Sequence, residues 1–212
     1  MTDEIYSPGL EGVIAGETAI SNIADGLRYR GYSIEDLARS ACFEEVAFLV
    51  LNGELPTQLQ LDEFRTRLAD SAPVSKDFLA LLRSIPRETP VMDLLRTGAS
   101  LLAHWDPEAG DISHEAQMRK AERLLAKLPT IMTAYYRLSQ SKEPVAPDPN
   151  LSFAANILWM LQRKVPSAQS ERAMDVSLTL YAEHEFNAST FTARVITSTM
   201  SDLHSAIAGA IG

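Results

Sequence analysis

An all-α fold is predicted: a multi-helix large domain with a small β-hairpin at its N-terminus. Three observations predict it. Helix-capping signals recur along the chain from Ser33 onward. Apolar residues return at helical spacing between those signals. Strand-like alternation is confined to the first thirty residues, so there is none of the strand-helix alternation of a parallel α/β sheet.

The hairpin comes first. Asp25-Gly26 is a hairpin turn signal. After it, Leu27 and Tyr29 alternate with Arg28 and Arg30, the period-2 pattern of a half-buried strand, and the hairpin is predicted to end at Gly31. Ser33 then caps a short helix through Arg39. Phe43 to Leu51 is a strongly apolar helix that Gly53 is suited to end. Thr57 and Gln60 have capping-box spacing, and Leu59, Phe64 and Leu68 form the predicted buried face after them. Lys76 to Ser84 is a helix stopped by Pro86. Thr89-Pro90 sets a capping residue before a first-turn proline, and the next helix carries Met92, Leu95, Ala99 and Leu102 on one face.

Ser113 to Ser139 is one long helical pattern with a kink or break expected at Pro129, because proline removes a hydrogen bond and clashes with the preceding turn. Ser141 to Pro149 holds three prolines and is a loop. Asn150 to Leu161 is helical, Pro166 to Ser170 is a loop, and Glu171 to Phe186 is predicted as a buried apolar helix. Asn187 to Thr190 breaks it, and two further helices run to the end. The final segment, Ala206 to Gly212, is small and apolar, a composition suited to closely packed helices and not to a free terminus.

Composition excludes several classes. The 212 residues are 46% hydrophobic, enough to bury a core without disulfides or metal. A formal net charge of −9 argues against nucleic-acid binding and against a polybasic membrane anchor. Residues Met1 to Tyr6 are acidic and lead into no apolar segment, so no secretory signal is read, and a cytoplasmic location is expected. The lone Cys42 reads as a small buried hydrophobe. There is no phosphate-binding glycine loop and no G-x-S-x-G elbow. His104, His114, His184 and His204 include no pair at the i, i+4 spacing of a helical zinc site. Met92, Met118, Met132, Met160 and Met174 read as core filling, and Glu44-Glu45 and Asp62-Glu63 as solvated helix faces. Residue chemistry by itself stops at an all-α domain.

One segment carries more. Tyr181-Ala182-Glu183-His184-Glu185-Phe186-Asn187-Ala188-Ser189-Thr190-Phe191 resembles the HExNAST segment of bacterial-type citrate synthases and 2-methylcitrate synthases. Arg194, Ser198-Thr199, Asp202 and Ala206 to Gly212 come next in that family's order. Gly9 to Val13 with Glu17 to Ser21, Tyr29 to Tyr32, Asn52 to Thr57, Pro90 to Thr97 and Lys127 to Ile131 continue the resemblance, which covers essentially the whole chain.

The resemblance implies a Claisen-type condensation of acetyl-CoA with oxaloacetate, followed by thioester hydrolysis, or the same chemistry with propionyl-CoA. It implies no metal and no cofactor, since the coenzyme A thioester is a substrate, and it implies a homodimer. By the motif match, His184 binds oxaloacetate, and Asn187 and Ser189 support neighbouring histidines by hydrogen bonds. Helix capping is the plainer reading of Asn187 and Ser189, and the two roles are compatible. The family's catalytic histidine lies on a glycine-rich G-P-x-H-G-G-A-N stretch, with a catalytic aspartate and the substrate-binding arginines further on. None of these is in the sequence. Residues 1–212 are therefore expected to be the N-terminal part of the large domain, with 1–31 as hairpin region and 32–212 helical, without the small catalytic domain and inactive alone. A non-catalytic helical module that dimerises with a full-length subunit is the alternative of a different class.

Overall fold

A computed structural model describes residues 16–24 and 26–212. The N-terminal Met1 to Tyr6 segment, the Gly9 to Val13 block and the turn residue Asp25 lie outside the described residues.

The predicted hairpin is the first part of a three-stranded antiparallel sheet: β1 (Ser21–Asn22), β2 (Arg28–Tyr29) and β3 (Tyr32–Ser33) in the order β1-β2-β3. Ser21 pairs with Tyr29, and Tyr29 with Tyr32. The hairpin does not end at Gly31 as predicted, because Arg30 and Gly31 form a turn into β3. Both have positive φ, 50° and 91°, which two-residue hairpin turns require. Arginine tolerates that conformation because its guanidinium is tied to the carbonyls of Ala19 and Val50.

Ten α-helices follow among the described residues: α1 (Ile34–Ser40), α2 (Phe43–Asn52), α3 (Gln58–Ser71), α4 (Lys76–Ser84), α5 (Val91–Leu102), α6 (His114–Ser139), α7 (Phe153–Gln162), α8 (Ala168–Leu180), α9 (Ala188–Ser198) and α10 (Leu203–Ile211). Ser33 caps α1, the Thr57/Gln60 box opens α3, and Gly53 ends α2 at φ 95°. The α5 start differs from expectation. Pro90 itself stands at the cap with no side-chain bond, while the Thr89 carbonyl is taken by the Tyr135 hydroxyl. Helix α6 runs unbroken through Pro129. A mid-helix proline costs about 3 kcal/mol. Leu124, Ala126, Ile131, Ala134 and Tyr135 on both sides of it are buried in the core, and that packing outweighs the loss.

Among the described residues three apolar clusters make the core. Phe78, Leu82, Leu94, Leu102 and Ile131 join α4, α5 and α6, with Leu203 and Ile207 of α10 against them. Phe43, Phe48, Phe64 and Leu68 join α2 and α3 to α6. Tyr29, Ile34, Leu37, Val46 and Leu49 form a third cluster under the sheet, and Ala182 packs against both it and the second. Phe64, Phe78 and Leu94 are 1% exposed or less, and such burial stabilises by about 1.5–3 kcal/mol per side chain. Of the methionines read as core filling, only Met160 is buried, and Met92 and Leu59 face solvent. Both precede their helix's buried stripe by part of a turn, which spacing alone does not resolve.

Glu44 corrects a further reading. It is not on a solvated face but 2% exposed, accepting the Phe153 N–H at 3.0 Å at the start of α7. Reciprocally, Asp175 of α8 accepts the Phe43 N–H at 2.8 Å at the start of α2. Two helix N-termini, each with orphan donors, are thus served by carboxylates from other helices.

Candidate functional site

The segment singled out by resemblance is a loop. α8 ends at Leu180 with Tyr181 at its C-cap, and residues 181–187 are non-helical, so the helix predicted through Phe186 stops six residues early. Nor is α8 a buried apolar helix, since only Asp175 and Thr179 on it are buried.

Two contacts end it. Continuing the helix would require the His184 N–H to bond the Leu180 carbonyl, the i−4 pairing. That carbonyl instead accepts from the Tyr29 hydroxyl at 3.2 Å, and the same hydroxyl lies 3.1 Å from the Glu183 carbonyl. Further on, the Glu183 carboxylate accepts the Glu185 N–H at 2.8 Å, and Glu185 sits at φ 55°, left-handed and incompatible with a right-handed helix.

His184 is exposed in this loop, and its ring makes no hydrogen bond among the described residues. Asn187 caps α9, its Oδ1 accepting the Thr190 N–H at 2.8 Å. Ser189 is exposed in the first turn of α9 and makes no side-chain hydrogen bond among the described residues. Phe186 lies under the Arg194 guanidinium, 4.9 Å from ring centre to Cζ, so the exit of the loop is tied to α9. Glu183 keeps Oε2 buried and without a hydrogen-bond partner among the described residues. The three residues picked out by the motif thus share one loop-helix junction, and all three are exposed.

A second polar cluster carries no signal in the sequence. Asp106, 5% exposed in its side chain, accepts from Arg123 at 2.7 and 3.0 Å, and Arg123 also reaches Glu108 at 2.9 Å. Glu108 pairs with Arg119 as well, and these guanidinium bonds hold its carboxyl down at about 2. Buried against them from α10 is His204, 2% exposed, with Nε2 3.4 Å from Asp106 Oδ2 and Nδ1 3.8 Å from Asp202 Oδ1. Lys120, fully buried, donates to the Ala109 and Asp111 carbonyls. No spacing links Asp106, Arg123 and His204; only the packing of α10 on α5 and α6 unites them.

Burial lowers the His204 pKa from 6.5; Asp106 and Asp202 oppose this, with Asp106 already neutralised by Arg123. The folded state therefore disfavours the protonated ring. Its contribution to stability is complete above about pH 6.5 and is lost as pH falls below that value toward the lower folded pKa. Denaturant midpoints are expected to fall between about pH 7.5 and 5.5, and His204→Gln is expected to flatten that slope. An identical slope in the variant would assign the dependence to other groups.

Cys42 is half-buried beside α2 and not a core hydrophobe. Its sulfur is 3.3 Å from Arg65 Nη2, and burial pushes the thiol up to about 12, which favours the protonated form. A cavity of about 420 Å³ opens among Arg65, Leu68, Phe153, Asn156 and Met160, and none of His184, Asn187 or Ser189 lines it. Among the described residues no group of three or more His, Cys, Asp or Glu could hold a metal ion, and no helix is long and apolar enough to cross a membrane.

The fold is that of solved citrate synthases. The enzyme from Pyrobaculum aerophilum superposes with a TM-score of 0.90 at 37% identity, over 95% of this chain and 53% of that one. The citrate synthase of Thermoplasma acidophilum, solved as a ternary complex with carboxymethyl coenzyme A and oxaloacetate, gives 0.88 at 27% identity over 94% of this chain and 53% of that one. A family model described as "Citrate synthase, C-terminal domain" matches residues 9–212. A 2-methylcitrate synthase of Shewanella oneidensis is 46% identical over 99% of this chain, and a citrate/2-methylcitrate synthase of Bacillus subtilis 42% identical over 97%. The chain belongs to the citrate synthase family. It spans about half the length of the curated relatives it matches, 56% of each of these two.

Proposed function

We propose that this chain contributes the oxaloacetate-binding histidine loop of an acyltransferase that condenses an acyl-CoA with oxaloacetate in a Claisen reaction. The observation that carries the reading is the loop itself. His184 stands exposed and free of hydrogen bonds among the described residues, between backbone carbonyls that are held and a capped helix start. An imidazole so placed can donate to a carboxylate or keto oxygen without first breaking an internal bond.

Asn187 commits its oxygen to the α9 cap, and its amide N–H groups, unbonded among the described residues, can orient a neighbouring histidine, while Ser189 adds a hydroxyl in the first turn of the same helix. Removal of the acyl methyl proton needs a carboxylate base, and stabilisation of the enolate needs a donor at the thioester oxygen. We assign both to the glycine-rich segment and the residues beyond it, outside residues 1–212.

Acetyl-CoA giving citrate is the first reading. Propionyl-CoA giving 2-methylcitrate is the second, favoured by the name of the 46% identical relative. No metal or organic cofactor enters either. A homodimer is part of the proposal: Met92 of α5, Val195 of α9 and Met200 beyond it are 57%, 49% and 72% exposed, apolar side chains of the kind that association covers.

The test is CoA release. The complete protein is expected to release CoA from acetyl-CoA or propionyl-CoA only when oxaloacetate is present, and the ratio of the two rates decides between the readings. Residues 1–212 alone are expected to release none above background. Turnover by the 212 residues alone would overturn the placement of the catalytic groups.

A further inference from the structure

We propose that Tyr29 is a positioning residue for substrate binding: its hydroxyl, fixed in the N-terminal sheet, sets the orientation of the peptide that carries His184. The proposal rests on the reading of His184 as an oxaloacetate ligand.

The chain places Tyr29 and Glu183 154 positions apart, yet the Tyr29 hydroxyl lies 3.1 Å from the Glu183 carbonyl and 3.2 Å from that of Leu180. The Glu183 carbonyl and the His184 N–H belong to one planar peptide unit. A bond to that carbonyl therefore fixes the plane from which the His184 side chain departs. The bond to Leu180 works in the same direction, since it occupies the acceptor that a continuing helix would offer to the His184 N–H. A phenol has one proton, so the two carbonyls share it, and both are held near the same point.

The lever is rigid. Tyr29 is 0% exposed and packed among Ile34, Leu37, Val46 and Leu49, so its ring cannot swing without opening that cluster. Burial, with the nearby Glu183 charge adding to it, raises the phenol pKa, which keeps the hydroxyl a donor. On the other side of His184, the Glu183 carboxylate holds the Glu185 N–H. Both peptides around His184 are thus restrained while its ring stays exposed and free.

Tyr29→Phe removes the hydroxyl and keeps the ring. In the complete protein it is expected to raise the oxaloacetate KM about fivefold, with the acyl-CoA KM unchanged, the loss of one hydrogen bond's restraint. The His184 ring ¹H–¹⁵N signals, assigned by their disappearance in His184→Ala, are expected to shift and broaden in Tyr29→Phe. A merely structural tyrosine would move both KM values or neither and leave those signals in place. If His184→Ala raises the oxaloacetate KM but Tyr29→Phe changes neither that KM nor the His184 signals, the positioning role is overturned and the ligand reading stands. If His184→Ala itself leaves the KM unchanged, the ligand reading fails, and the positioning role for substrate fails with it. Should Tyr29→Phe not fold, amide exchange in the unmutated protein decides: protection of the Glu185 amide, bonded to the Glu183 carboxylate, is expected, and exchange there at the rate of an unstructured chain would overturn the restraint.

Discussion

His184→Ala in the complete protein is expected to raise the oxaloacetate KM by about 10- to 100-fold, the worth of one hydrogen bond to a charged ligand. The fold should not register the change. The ring is exposed and makes no hydrogen bond among the described residues, and such surface substitutions stay within about 0.5 kcal/mol of stability. That separation makes the experiment informative, because a large kinetic effect with an unchanged unfolding curve has no structural explanation. His184→Gln, which retains an N–H donor, should recover part of the affinity. Steady-state kinetics with oxaloacetate varied at saturating acyl-CoA provides the measurement, and an unchanged KM removes His184 from the site.

Asp106→Ala should show the converse, a loss of stability of about 3 kcal/mol. Asp106 is 5% exposed in its side chain and accepts two bonds from Arg123 and one from the Glu108 N–H at 2.9 Å. Removing it leaves a mostly buried guanidinium with Glu108 alone, beside His204. At a urea dependence of about 2 kcal/mol/M, the midpoint should fall by about 1.5 M with the slope unchanged. The Arg83–Glu143 pair is the contrast. At 2.5 Å it is shorter, but the two side chains are 46% and 78% exposed, so Glu143→Ala should move the midpoint little. Equal losses from both substitutions would mean that burial does not govern these pairs.

Helix starts and stops are legible in the sequence wherever a local signal sets them. Ser33, the Thr57/Gln60 box, Gly53 and the Pro86 stop act within four residues, and the structure uses each as expected. Departures cluster where a distant group intervenes. The end of α8 is decided by a hydroxyl from β2, the burial of Glu44 by the N-terminus of α7, and the passage of α6 through Pro129 by core packing on both flanks. His184, Asn187 and Ser189 stand out by resemblance of a contiguous motif and not by their chemistry, because a lone exposed histidine has no spacing to betray it. The Asp106–Arg123–His204 cluster has no contiguous motif and stays hidden until the helices are packed.

The short sheet at the start of the chain has a consequence for how the protein comes to be. Its tyrosine closes on residues made some 150 positions later, so the histidine loop cannot take its final shape until an early segment of the chain has met one made much later. During synthesis the middle helices can assemble first, from contacts closer in sequence. The histidine loop then sets after those helices, once β2 has reached it.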